Sequence, residues 1–185
     1  MTSKLTIEGY VIASGDGMLT DASGTMPDSL KFDADYVFFS SALDRVELIV
    51  HGRKSFEDQP NSAKRKRVIV TRSVAALEPD PDNARATLWN PKGASFEDAY
   101  IAAGISNGTV AIIGGPDIFA MFFDRYDTFW LSQAPHVTLP GGQGCFPGIP
   151  ERTPQQILAA HGLTPGTPRI LDAAHDVTAT PWRRG

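Results

Sequence analysis

The chain holds a single cysteine, Cys145, in 185 residues. It can form no intramolecular disulfide and supports no cysteine-based zinc site. A lone thiol without a candidate base beside it in the sequence reads as inert. Long hydrophobic runs are also missing. No stretch approaches the roughly 20 apolar residues that span a bilayer, and the opening MTSKLTIEG is too polar for a secretory signal. Basic charge is scarce, with 17 Lys and Arg against 21 Asp and Glu and a net charge of −4. A general binder of nucleic acid or of an acidic membrane needs a cationic face, so no nucleic-acid partner and no membrane partner is expected. The four histidines, His51, His136, His161 and His175, show no metal-ligand spacing, and no metal site is assigned. Repeats, heptads and low-complexity tracts are absent as well. A cytoplasmic protein in reducing surroundings is the expectation.

What is present fits one globular domain over 1–185. Apolar residues make up 42% of the chain, and a chain of this length buries about 70% of its unfolded surface. Short β-rich apolar runs at 5–13, 46–51, 68–71, 109–113 and 128–134 read as buried strands, with a further short strand at 87–89. Helical windows lie between them at 32–43, 95–103, 116–123 and 153–161. Ser95 with Asp98 three residues on resembles a capping box. Thr153 serves as N-cap before Pro154, and Gly162 as the stop. Strands alternating with helices predict an α/β fold: a mostly parallel central sheet covered by helices on both faces. The runs 169–174 and 176–181, with only a turn at His175 between them, predict a C-terminal antiparallel hairpin. Segments 77–86 and 139–150 read as surface loops, and Trp182-Arg183-Arg184 as a frayed terminus.

Three strand ends carry chemistry. Ile113-Gly114-Gly115-Pro116 leads from a strand into a helix. Glycine there lets the backbone approach a ligand, and the helix start presents free N–H groups suited to phosphate; a plain tight turn is the competing reading. Val50-His51-Gly52-Arg53-Lys54-Ser55 places two cations at a second strand end. Thr71-Arg72-Ser73 adds a hydroxyl and a cation at a third. In an open α/β sheet, ligands sit at the carboxyl ends of strands. Three phosphate-compatible ends favour a phosphorylated cofactor, and NADPH fits because its 2′-phosphate calls for cations. Elsewhere, Met26-Pro27 precedes Asp33 at the start of the first helix. Asp33 is read either as a first-turn acid stabilised by the helix dipole or as a carboxylate in a cleft wall that binds an N–C–N edge and helps move a proton. Asp35 competes for both roles. The basic run Lys64-Arg65-Lys66-Arg67 reads first as a solvated edge and second as an anchor for an anionic substrate tail. Phe119, Phe122 and Phe123 read as core, and His51 as a core histidine with a satisfied ring.

In order and spacing these pieces resemble the dihydrofolate reductase superfamily, which includes the dihydrofolate reductases and the reductase domain of riboflavin biosynthesis. The matching stretches are 11–20, 26–39, 46–57, 65–71, 111–123 and 129–146, most of the first 150 residues. The resemblance implies a nicotinamide site built from Ala13, Gly17, Leu19, Thr20 and the run Ile113, Gly114, Gly115, Pro116, Asp117 and Ile118, with a cis Gly-Gly peptide. Gly52, Arg53, Lys54 and Ser55 would approach the cofactor phosphates, and Thr71 and Arg72 its adenosine end. Asp33 matches the family carboxylate, supported by Ser132. Met26, Asp28, Val37, Arg65 and Phe119 fall at substrate positions, with Arg65 where dihydrofolate reductases hold a glutamate carboxylate. The implied activity is NADPH-dependent hydride transfer to a pteridine-type heterocycle. The alternatives are a riboflavin-type 5-amino-6-(5-phosphoribosylamino)uracil reductase and a non-catalytic cofactor binder. The resemblance allows a monomer or a homodimer. Asp28 stands where dihydrofolate reductases carry Trp, Val37 where they carry Phe, and Asp117 where a basic residue is common. The segment 58–64 is polar where those enzymes are apolar.

Overall fold

The computed structural model describes residues 4–185. The chain forms β1 (Leu5–Ser14), α1 (Asp33–Leu43), β2 (Leu48–Gly52), β3 (Arg67–Val70), β4 (Leu77–Asp80) and β5 (Asn83–Trp89). It continues through α2 (Phe96–Ala102), β6 (Gly108–Ile112), α3 (Pro116–Met121), β7 (Thr128–Ala134) and α4 (Pro154–Ala160). The last strands are β8 (Leu163–Pro165), β9 (Arg169–Asp172) and β10 (Val177–Arg184). They make one sheet in the order β4-β5-β3-β2-β6-β1-β7-β10-β8, with β9 also pairing β10. The five pairings from β5 to β7 are parallel. At the two edges, β4 and the β8–β10 group run antiparallel to their partners. The α/β architecture and the C-terminal hairpin agree with the sequence reading.

Alternation along the strands sorts the core into two faces. Val11 of β1, Leu48 and Val50 of β2, and Val110 and Ile112 of β6 pack with Phe96 and Ala99 of α2, Phe119 of α3, and Ile157 and Leu158 of α4. The intervening Tyr10, Ile49 and Ala111 pack with Ala42 and Leu43 of α1. Helix α1 thus stands alone over one face, and the space beside it stays open for a ligand. Helices α2 and α4 both start with full capping boxes, Ser95 with Asp98 and Thr153 with Gln156.

Three expectations are corrected. Segment 77–86 is no loop: β4 and most of β5 form a hairpin there, with an irregularity at Pro79/Asp80. Trp182 is 6% exposed and lies inside β10, so the terminus is not frayed. The basic run is no solvated edge, since Arg65 and Arg67 are buried at 7% and 0% exposure. Arg67 forms a bidentate pair with Glu57 (2.7 and 2.6 Å), and its Nη1 lies 3.0 Å from His51 Nε2. His51 Nδ1 lies 2.6 Å from the Gly52 carbonyl, so the ring is satisfied at both nitrogens. Burial lowers the His51 pKa, keeping the ring neutral. Burial alone would raise the Glu57 pKa, but the Arg67 hydrogen bond and charge overcome it and hold Glu57 below its usual value.

Candidate active site

A cavity of about 820 Å³ opens on the α1 face of the sheet. Aromatic side chains contribute much of its wall, among them Tyr10, Tyr36, Phe38, Phe39, Phe56 and Trp130. Phe38 meets Trp130 edge-on at 5.3 Å, and Tyr10 lies against both Phe38 and Phe39. The period-2 repeat of β1 and β7 explains the floor: Tyr10 and Ile12 share a face, as do Trp130 and Ser132. Ile12 and Ser132 are register partners in neighbouring strands.

Two carboxyl groups are drawn out of solvent in this setting: Glu57, neutralised by Arg67, and Asp35 in the first turn of α1, which has no cationic partner among the described residues. Burial pushes the Asp35 pKa up to about 6, while the nearby Ser132 hydroxyl opposes part of the rise. Asp33, two residues earlier, is exposed and sits on the rim. Of the two competing carboxylates, Asp33 stays exposed and Asp35 is the one drawn into the cavity near Ser132. The difference has a local cause. A short 3-10 turn at Asp28–Leu30 and the extended Lys31 and Phe32 lie between Pro27 and α1, so counting forward from Pro27 stops two residues early.

The same slip moves other expected positions. Val37 is 61% exposed and absent from the cavity wall, whereas Phe39, one turn beyond Asp35, lines it. Asp28 is exposed, pairs with Lys31 at 3.0 Å, and gives up the wall to Leu30. Met26 lines the cavity as expected. Phe119 is 1% exposed and belongs to the core, edge-on to Phe129 and Phe146. Arg65 does not reach the cavity surface; Glu57, Asp58 and Gln59 line it instead.

The expected cofactor residues fall into three groups. Leu19, Thr20, Lys54, Ser55 and Ile113 line the cavity together with Asp35 and Ser132. Gly52, Gly114, Gly115 and Ile118 meet at a corner next to it: Gly52 N donates to the Gly114 carbonyl at 2.8 Å, and the Gly114–Gly115 peptide is cis. Gly114 has φ +117°, and a Cβ there would meet the Phe119 ring at 3.3 Å and Ser55 Oγ at 3.6 Å. The third group lies at adjacent strand ends. Gly52 and Val70 are register partners, so Arg53 and Lys54 emerge beside Thr71 and Arg72. Arg53, Lys54 and Arg72 are exposed and make no ion pair among the described residues. Ala13 and Gly17 are buried, the latter donating to Ser14 and accepting from Cys145. Pro116 is half-buried and Asp117 exposed at the start of α3. The Cys145 thiol is buried and its pKa pushed up to about 12, which leaves it unreactive.

These features fit a nicotinamide dinucleotide. Two consecutive glycines beside the cavity carry no side chain to crowd a flat ring, and exposed cations at two strand ends suit phosphates.

No protein-family model matches the sequence, and no curated protein matches it. Solved structures do share its fold. A dihydrofolate reductase from Enterococcus faecalis, complexed with NADP(H) and RAB-propyl, matches with a TM-score of 0.64 and 17% identity, over 97% of this chain and 96% of that one. A putative riboflavin biosynthesis protein from Shewanella sp. PV-4 matches with a TM-score of 0.66 and 18% identity, over 97% and 99%. A diaminohydroxyphosphoribosylaminopyrimidine deaminase/5-amino-6-(5-phosphoribosylamino)uracil reductase from Thermotoga maritima matches with a TM-score of 0.65 and 14% identity. This chain is covered over 98% there but spans only 57% of that longer protein. The chain has a dihydrofolate-reductase-like fold, of the kind shared with riboflavin-biosynthesis reductases. The likeness is one of fold.

Proposed function

We propose that the protein is an NADPH-dependent reductase that delivers hydride to a small nitrogen heterocycle. The observation that carries this reading is the Asp35 carboxyl, largely buried and with its pKa pushed up to about 6, inside an aromatic-walled cavity that reaches Ile113 at the glycine corner. An acidic group so placed can bind the N–C–N edge of a ring and favour its protonated form.

NADPH, when bound, supplies the hydride. The chain positions and polarises. Gly114, Gly115 and Ile113 would hold the nicotinamide, Arg53, Lys54 and Arg72 the phosphates, and Ser55 the turn between them. Asp35 takes the heterocycle, and the Ser132 hydroxyl beside it favours the ionised carboxylate. Phe39, Tyr36, Trp130 and Tyr10 exclude water from the ring and lower the local dielectric, which strengthens the Asp35 contact. Met26 and Leu30 close the side facing the loop. Reduced pteridines and aminopyrimidines both present the required ring edge.

The test is a fluorescence titration with NADPH, followed by NADPH oxidation assays with dihydrofolate, dihydrobiopterin and the ribosylaminopyrimidine in parallel. Binding and turnover of at least one is expected. Tight NADPH binding with no turnover on any of them would favour a silent binder instead, and no NADPH binding would remove both readings.

A further inference from the structure

We propose that the substrate carries no carboxylate-bearing tail on the side where the end of α1 meets β3, because Arg65, the cation available there, is fully committed to the protein's own acceptors and screened from the cavity. The inference rests on the reductase reading for its ring, but its geometry stands alone.

Arg65 has five N–H donors in a fixed fork. Nε donates to Asp44 Oδ1 at 3.2 Å, and Nη2 donates to the same oxygen at 2.8 Å and to the Ser40 carbonyl and hydroxyl at 3.3 Å each. Nη1 donates to Gln59 Oε1 and, at 3.4 Å, to Glu57 Oε1. Its side chain is 5% exposed. Glu57 and Gln59 stand between it and the cavity, since both bond Arg65 and both line the wall that Arg65 does not reach. An incoming carboxylate would have to displace Gln59 and compete with Asp44 in a partly desolvated site.

The surrounding charge points the same way. The cavity is lined by the carboxyl side chains of Asp33, Asp35, Glu57 and Asp58 and by the ammonium groups of Lys31 and Lys54. Lys31 is already paired with Asp28 at 3.0 Å. Lys54 stands at the strand end proposed for cofactor phosphate. An anionic tail near residues 57–59 thus meets the like charge of Glu57 and Asp58, and of the cations lining the cavity only Lys54 is unpaired among the described residues, at the strand end proposed for cofactor phosphate; like-charge juxtaposition selects against such ligands. The pocket suits a compact heterocycle that is neutral or cationic on that side.

The experiment compares dihydropteroate with dihydrofolate, which share ring and benzoyl group and differ only in the glutamate. Binding is measured on the NADPH-saturated protein. In the wild type the two dissociation constants agree within about threefold, or dihydropteroate binds more tightly. In Gln59→Ala, which uncovers Nη1, the ratio moves about tenfold toward dihydrofolate, the size of one charge-assisted hydrogen bond. A wild type that prefers dihydrofolate by tenfold overturns the proposal. So does a Gln59→Ala variant, folded by circular dichroism, whose ratio does not move. A second measurement needs no turnover. The Arg65 Nε–Hε signal in nitrogen-resolved NMR is expected to exchange slowly and to stay in place when dihydrofolate is added. An exchange-averaged signal, or one that shifts with dihydrofolate, overturns the proposal. If no reduced heterocycle binds or turns over, the reductase reading fails, and the Arg65 signal still decides whether this side chain is committed.

Discussion

Asp33 and Asp35 lie two residues apart in the first turn of α1, yet Asp33 stays exposed at the cavity rim while Asp35 is drawn out of solvent near Ser132. Two residues turn a helix through about 200°, so neighbours in sequence occupy opposite surroundings. One is a rim acid in water. The other is a poised acid in an apolar wall.

This difference makes stability depend on pH. The folded pKa of Asp35, about 6, lies above its ordinary value of 3.8. Burying the ionised form therefore costs stability, a cost absent below the unfolded pKa and growing as pH rises through about 6. Asp35→Asn removes it. Thermal denaturation near neutral pH is expected to show the variant more stable by about 1–2 kcal/mol, less than the full linkage value because the cavity mouth admits solvent. The gain should close toward about pH 4.

Arg53 and Arg72 emerge from adjacent strand ends without ion-pair partners among the described residues. Arg72→Ala is expected to weaken NADPH binding about tenfold while leaving NADH affinity nearly unchanged, since only NADPH brings the extra phosphate, and Arg53→Ala to weaken both through the shared pyrophosphate. Equal losses for both cofactors in Arg72→Ala would place this side chain away from the 2′-phosphate.

Gly114 has φ +117°, and its missing Cβ leaves room that Phe119 and Ser55 bound. Gly114→Ala is expected to lower unfolding free energy by about 1–2 kcal/mol and to weaken NADPH binding further than that loss alone explains. A chemical-denaturation curve and a cofactor titration on the same preparation separate the two effects.

The Arg67–Glu57 pair is buried, with side-chain exposures of 0% and 4%. The Phe56 ring covers the guanidinium 4.5 Å from its Cζ, and Arg67 Nε has no hydrogen-bond partner. Glu57→Gln leaves a buried cation short of its counter-charge and is expected to destabilise by about 3–5 kcal/mol. Urea denaturation measures it directly.

Much of this was legible in the sequence. The central strands announced themselves because both faces are buried, which turns each into a continuous apolar run. Edge strand β4 did not, because Leu77-Glu78-Pro79-Asp80 is only half-covered and carries polar residues that look like a loop. Strand β8 is three residues long, with two of them exposed. The glycine corner is readable as strand-end chemistry, whereas Ser132, inside β7, stands out only through the family resemblance. The choice between Asp33 and Asp35 stays open in the sequence because the turn at Asp28–Leu30 has no strong signature. The fate of Arg65 was hidden for a different reason: Asp44 lies 21 residues away, and a partner at that separation shows only in the folded chain.

The most direct test of the account is turnover at saturating NADPH in Asp33→Asn and Asp35→Asn, measured beside the wild type on whichever heterocycle the wild type reduces best. Asp35→Asn should lose about 100-fold or more in rate with NADPH affinity intact, and Asp33→Asn should stay within about threefold. A rate that survives in Asp35→Asn, or that falls instead in Asp33→Asn, would contradict the assignment of Asp35 as the group that holds the substrate ring.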